Sequence, residues 1–367
     1  MKNLGSRLLA VLFALALLAG GVAFLLAPKK TTSEAERRPL AEVPQPRAQT
    51  VLSGAYFSGL SAYVTDHFPA REFWRALKAG WQLDVMRETE NNGLLLSDGY
   101  IVKPEKEISD ESFDYAAARL GAVYDRYLSQ SDCRVYAALV PDKGCFLAAS
   151  GYPAVSLSAA QSRFAACLPE ARFVSLADTL TLSDYYRTDS HWRQEALLPV
   201  AGKLLAAMDA PGDLPEAGAL VRNTYAPFSG VYAGQLALPQ PPETLVYLTG
   251  GALDTLTATD LVTRAPVPVY DPDGCDPRDP YTLFVGGSLA LLRIENPASG
   301  SDRELIVFRD SFGSALAPLL ACGYRAVTLA DTRYIAPEAM SRYLRFQDCD
   351  VLFLYSFTLL NHSQGLR

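Results

Sequence analysis

Residues 304–320, ELIVFRDSFGSALAPLL, constrain this chain more than any other stretch. Leu305, Ile306, Val307 and Phe308 form the unbroken apolar run of a short strand buried on both faces. Arg309, Asp310 and Ser311 follow, and after Gly313 the residues Ser314, Ala315, Leu316 and Ala317 begin a helical pattern. Strand, sharp turn and helix imply an α/β sheet, with Ser311 at the carboxyl end of a strand. Ligands of open α/β sheets bind there, and a helix N-terminus favours developing negative charge. Ser311 or Asp310 could equally cap the helix and do nothing more. The serine becomes informative only with a general base and a group that orients the base.

The chain holds three histidines, His67, His191 and His362. His191 lies in residues 185–192, YYRTDSHW, a polar and aromatic loop before an apolar-periodic helix expected near 193–208. An Asp-x-His spacing places carboxylate and imidazole side by side, so that Asp189 fixes the tautomer and His191 takes the proton of Ser311. The alternative is that Thr188, Asp189 or Ser190 caps the following helix while His191 packs on Trp192. His67, at the Asp66-His67-Phe68-Pro69 break between two helical patterns, reads as a structural hydrogen-bonding residue, and His362 as solvated.

YYRTDSHW followed about 120 residues later by FRDSFGSALAPLL resembles the DHHW family of bacterial extracytoplasmic proteins. That family is similar in turn to the SGNH-hydrolase-like domains of alginate O-acetyltransferases. Residues 33–40, 66–71, 140–143, 283–296 and 331–334 also look like family blocks, so the resemblance runs from about residue 33 to the C-terminus. It implies an SGNH-hydrolase-like three-layer α/β sandwich with a mostly parallel sheet. It also implies a catalytic Ser311, His191 and Asp189, no soluble cofactor, and an acyl donor supplied through a membrane-bound O-acyltransferase partner. The chain departs from the family where Ser190 replaces the first histidine of Asp-His-His-Trp. The Asp-x-His pair survives that change, whereas any role of the missing imidazole in acceptor binding does not.

Residues 8–27 are almost wholly apolar, about the length that crosses a bilayer as one helix. Lys2 and Arg7 precede them, and the 24–28 segment is a poor cleavage site, so an uncleaved single-pass anchor is expected. Because Lys29, Lys30, Arg37 and Arg38 lie beyond the span, an extracytoplasmic main domain rests partly on the resemblance. Residues 29–50, rich in proline and mixed charge, read as a linker, and 51–367 as one main domain. With 49% hydrophobic residues it can bury a large core. The aromatics of 56–64 and 73–81 read as core or as a lid over the sheet. A net charge of −7 without a long basic run argues against a nucleic-acid partner.

Residues 93–101 read as a hairpin turning at Asp98-Gly99, residues 134–140, 173–176, 326–329 and 351–355 as strands, and a loop-rich insertion spans 209–281. Three further residues are candidates for substrate or oxyanion binding. Lys143, at a strand end, is one, or else a solvated loop lysine. Gly287 could bring a backbone N–H to an oxyanion, or simply make a turn. Arg333 could pin an anionic or hydroxyl-rich ligand, or form a surface ion pair. The six cysteines are scattered without paired CxxC spacing, so no metal is implied.

Three functions fit this reading: O-acetyl transfer to a cell-surface or exported polysaccharide, carbohydrate ester hydrolysis by the same triad, and a catalytically inactive glycan-binding scaffold.

Overall fold

A computed structural model describes residues 2–148 and 151–367, with side chains from residue 5 onward. The chain divides into two compact units, Met1–Asn92 with Val231–Gln240, and Gly93–Gly230 with Pro241–Arg367.

The first unit begins with helix α1 (Lys2–Leu26), of which Gly5–Leu26 is long and apolar enough to cross a membrane. Residues 29–50, expected as a linker, carry a paired element, Thr32–Ser33 against Arg38–Pro39, and bury Ser33 and Leu40. Arg38 donates to both oxygens of Asp66, at 2.9 and 2.6 Å, and the Ala41 N–H adds a third bond at 2.9 Å. The Arg38 bond, with help from Ala41 and Arg71, pulls the Asp66 carboxyl down to about 2. A reading of proline and charge content cannot foresee such a partner.

Helices α2 (Ala55–Asp66) and α3 (Arg71–Gly80) meet at the Pro69 break, and a π turn, Trp81–Val85, continues α3. His67 Nε2 lies 2.9 Å from the Ala41 carbonyl, a structural contact. Of the aromatics read as core or as a lid, Phe57, Phe73, Trp74 and Trp81 are exposed and not core, while Asp66, Ala79 and Leu83 are buried. Helical period identified a face, but polar Asp66 occupies the inner one of α2 because Arg38 satisfies its carboxylate.

The second unit is built on an eight-stranded sheet. Its strands are β1 (Arg134–Val140), β2 (Arg172–Phe173), β3 (Thr257–Asp260), β4 (Pro266–Val267), β5 (Leu291–Glu295), β6 (Glu304–Arg309), β7 (Ala326–Ala330) and β8 (Cys349–Ser356), in the spatial order β4-β3-β5-β7-β6-β8-β1-β2. From β7 to β2 every pairing is parallel. The β5 side is antiparallel, and part of the 209–281 insertion supplies its edge strands.

Alternation sorts the side chains into two cores. Leu305 and Val307 of β6, Leu352 and Leu354 of β8, and Ala138 and Val140 of β1 face one side. Helices α6 (Leu198–Ala207) and α7 (Phe312–Ala321) cover that side. Ile306, Phe308, Val351, Phe353 and Leu139 face the other, against α4 (Asp110–Tyr127) and α5 (Leu157–Ala165). The result is the three-layer α/β sandwich with a mostly parallel sheet. Helix α7 is buried all round, which its Ala and Leu content permits.

The hairpin Leu94–Ser97 with Tyr100–Val102 turns at Asp98 and Gly99, both at positive φ, as expected. The helix expected near 193–208 is shorter: a 3₁₀ turn, Gln194–Ala196, precedes α6. Pro199 suits the first turn of a helix and marks its real start.

Candidate active site

Ser311 follows β6 and opens α7 with helical φ and ψ of −59° and −24°. Asp310 takes the capping role that either residue could have filled. Its Oδ1 accepts the Phe312 N–H at 3.0 Å, and its Oδ2 accepts the Ser356 N–H at 2.8 Å. The turn is thereby tied to the carboxyl end of β8, and Ser311 Oγ is left to point elsewhere. Gly313 serves packing: a Cβ there would approach Arg309 Cβ at 2.8 Å.

His191 Nε2 lies 2.8 Å from Ser311 Oγ, and His191 Nδ1 lies 2.6 Å from Asp189 Oδ1. An ionised Asp189 only accepts, so the neutral imidazole carries its proton on Nδ1. Nε2 is then the acceptor of the Ser311 hydroxyl. Asp189 Oδ1 also accepts the His191 backbone N–H at 3.1 Å, so the two residues close on each other. Ser190 Oγ sits 3.4 Å from the same oxygen.

The 185–192 loop is fastened on several sides. The Tyr186 N–H donates to the His191 carbonyl at 3.0 Å. Trp192 is fully buried and donates its indole N–H to the Phe312 carbonyl at 3.0 Å, which pins the loop to the first turn of α7. Trp192 meets Phe312 edge-on, whereas the ring stacked on His191 is Tyr281, 3.9 Å away and 12° from parallel. Burial pushes the Tyr281 hydroxyl well above the usual tyrosine range, so it stays neutral beside the imidazole. Glu243 accepts the backbone N–H groups of Arg187 and Thr188 and the Thr188 hydroxyl, each at 2.7 Å.

None of the other three candidates reaches the serine–histidine line: Lys143 matches neither reading, while Gly287 makes the turn and Arg333 an ion pair. Lys143 is buried, and its Nζ donates to the carbonyls of Tyr186 and Arg187 at 3.0 and 3.2 Å. It braces the loop from behind and presents no ammonium to a substrate, because two loop carbonyls need a donor there. Burial pushes Lys143 down to about 7, against the opposing pull of Asp189, Glu243 and Asp142. The N–H of Gly287 is committed to the Phe284 carbonyl at 3.0 Å, so the glycine makes a turn at φ +76° and is no oxyanion donor. Its carbonyl accepts from Arg309 Nη2 at 3.1 Å. Arg333 pairs with Asp331, Nε to Oδ1 at 2.9 Å and Nη2 to Oδ2 at 2.6 Å, and takes no part in the serine–histidine line. The alternative, an ion pair, is what forms, although Asp331 is buried and the pair is not the surface one expected.

Glu243 and Tyr281 carry no sequence signal: both come from the insertion, far from the residues they hold. Arg309 was visible only as part of the turn. It is fully buried beside Asp331, 3.7 Å away, where burial lowers its pKa and Asp331 opposes the change.

The three-layer α/β sandwich with a mostly parallel sheet is similar to the SGNH-hydrolase-like folds. The fold is similar to that of a DHHW family protein from Eubacterium siraeum, with a TM-score of 0.61, 21% identity, and coverage of 75% of this chain and 95% of that one. It is also similar to Bacillus cereus PatB1 carrying a sulfonyl adduct, with a TM-score of 0.59, 18% identity, and coverage of 74% and 96% respectively. No protein-family model and no curated protein matches the chain.

Proposed function

We propose that this chain is a serine-dependent O-acetyltransferase working through an acyl-enzyme on an exported or cell-surface polysaccharide. The observation that carries the proposal is the unbroken line Asp189–His191–Ser311, with links of 2.6 and 2.8 Å. In this reading Ser311 Oγ attacks the acyl carbonyl as its proton passes to His191 Nε2. Asp189 holds the imidazolium through Nδ1–H. The Ser311 N–H, at the amino end of the ten-residue α7, faces the developing oxyanion with the helix dipole behind it. Collapse of the tetrahedral intermediate returns the proton from His191 to the leaving group. An acceptor hydroxyl, deprotonated by His191, then takes the acetyl group and frees Ser311.

Helix α1 is the membrane anchor in this proposal, with the remaining chain extracytoplasmic. The acyl donor arrives through a membrane-bound O-acyltransferase partner and the acceptor is a glycan. The fold shared with the DHHW family protein and PatB1 is consistent with such a site. Esterase action uses the same groups with water as acceptor.

An aryl acetate supplied with and without an oligosaccharide tests the assignment. Acetyl transfer to the sugar, lost in Ser311→Ala, is expected. Hydrolysis alone would make the protein an esterase. Absence of any turnover, with the cellular role kept in Ser311→Ala, would end both readings and leave the glycan-binding scaffold.

A further inference from the structure

We infer that the exposed aromatic faces of α2 and α3 lie in the headgroup region of the lipid bilayer. The inference rests on the reading of α1 as an anchor. Phe57, Leu60 and Val64 recur at three- and four-residue spacing on α2, and Trp74, Leu77 and Trp81 do the same along α3 and its π turn. All six are exposed, Trp81 at 60% and Phe57 at 58%. Val64 and Trp74 line one cleft beside the α2–α3 corner. Soluble proteins rarely present two such apolar stripes to water, and a stripe rich in tryptophan matches the amphipathic belt at a membrane interface.

The occupant follows from what adjoins the stripes. Phe24, two residues before the end of α1, meets Tyr63 of α2 ring edge to face at 6.0 Å. Ala27, Pro28 and Lys30, which leave the apolar span, share a cleft with Phe68 and Phe73 at the α2–α3 corner. The corner where α2 ends and α3 begins therefore lies where the hydrocarbon core would end. Lys29 stands over the Phe24 ring at 3.6 Å, and Lys30 lines the same corner cleft, placing two cations just beyond the apolar span. The buried sides of α2 and α3 are already occupied, Asp66 by Arg38 and Arg75 by the carbonyls of Gly234 and Gln235. The aromatic sides remain for the bilayer.

The three tryptophans supply the test. The full chain is reconstituted into phosphatidylcholine–phosphatidylglycerol vesicles, with or without lipids brominated near the glycerol end of the acyl chains. Bromine is expected to quench Trp74 and Trp81, and the loss of emission is expected to vanish in a Trp74→Phe/Trp81→Phe protein, in which only buried Trp192 emits. Aqueous iodide should quench neither exposed tryptophan in vesicles. Iodide quenching without bromine quenching would overturn the inference. So would protection from both quenchers together with cross-linking between copies, which would make the face a protein interface. Release of the chain from vesicles by alkaline carbonate would instead refute the anchor itself, a separate failure.

Discussion

His191 Nε2 and Ser311 Oγ are 2.8 Å apart although 120 residues separate them in the chain. Because Asp189 Oδ1 holds the opposite ring nitrogen at 2.6 Å, the imidazole is fixed in the tautomer that can accept the serine proton. Asp189→Asn keeps the shape of the side chain but allows its amide to donate, which favours the other tautomer. Its esterase or transferase turnover is expected to fall by about 10⁴-fold with little change in KM, as for triad carboxylates generally. Steady-state kinetics with an aryl acetate, beside a thermal melt showing an intact fold, checks this.

Lys143 makes stability respond to pH in a defined direction. Its folded pKa of about 7 lies below the ordinary 10.5, so between those values the unfolded chain binds more protons than the folded one. This contribution makes the folded state more stable as pH rises through that window. Relative to Lys143→Met, the wild-type protein is expected to gain stability between about pH 7 and about pH 10. Denaturant unfolding of both proteins across this range reads the difference. Parallel pH profiles would refute the burial argument.

Gly230 touches the site through its lack of a side chain. Its N–H donates to Thr188 Oγ1 at 2.9 Å, and a Cβ would collide with the Thr188 carbonyl and Asp189 Cβ. Gly230→Ala must therefore shift Asp189. A displacement of order 1 Å at a catalytic group costs about 10²-fold in rate, and with Asp189 in the role proposed for it that loss in kcat is expected here. Gly218→Ala, where a Cβ meets nothing within 4 Å, is the control and is expected to keep full activity.

Cys133 and Cys349 meet where β1 and β8 begin, with their sulfurs 3.1 Å apart. The Cys349 contact lowers the Cys133 pKa, which favours its thiolate, the form that attacks a disulfide. Treatment with oxidised glutathione is expected to link this pair, one mixed disulfide forming on Cys133 and Cys349 then displacing the second glutathione. Cys145, Cys167 and Cys322, which are buried and have raised pKa values, should remain thiols. Peptide mapping without reduction identifies the bond.

Much of the sheet was legible because parallel central strands write themselves as apolar runs, as in β6 and β8. The serine and its partners were legible as well, since Asp-x-His and strand–Ser–helix are local patterns. What holds them was not. Glu243 clamps residues 187 and 188 from more than 50 residues away, and nothing in a lone glutamate announces a backbone clamp. Lys143 reads as a loop lysine until the Tyr186 and Arg187 carbonyls, more than 40 residues away, arrive at its Nζ. The aromatic stripes of α2 and α3 failed for another reason. Periodicity reports that a helix has two faces, whereas the surrounding medium determines which face the chain covers.

Covalent labelling of Ser311 tests the central claim most directly. The protein is treated with an aryl sulfonyl fluoride, digested, and mapped by mass spectrometry, with Ser311→Ala and Asp189→Asn alongside. One sulfonyl group is expected, on Ser311, absent from Ser311→Ala and formed far more slowly in Asp189→Asn. An unlabelled Ser311, or labelling that proceeds equally in all three proteins, would contradict that claim.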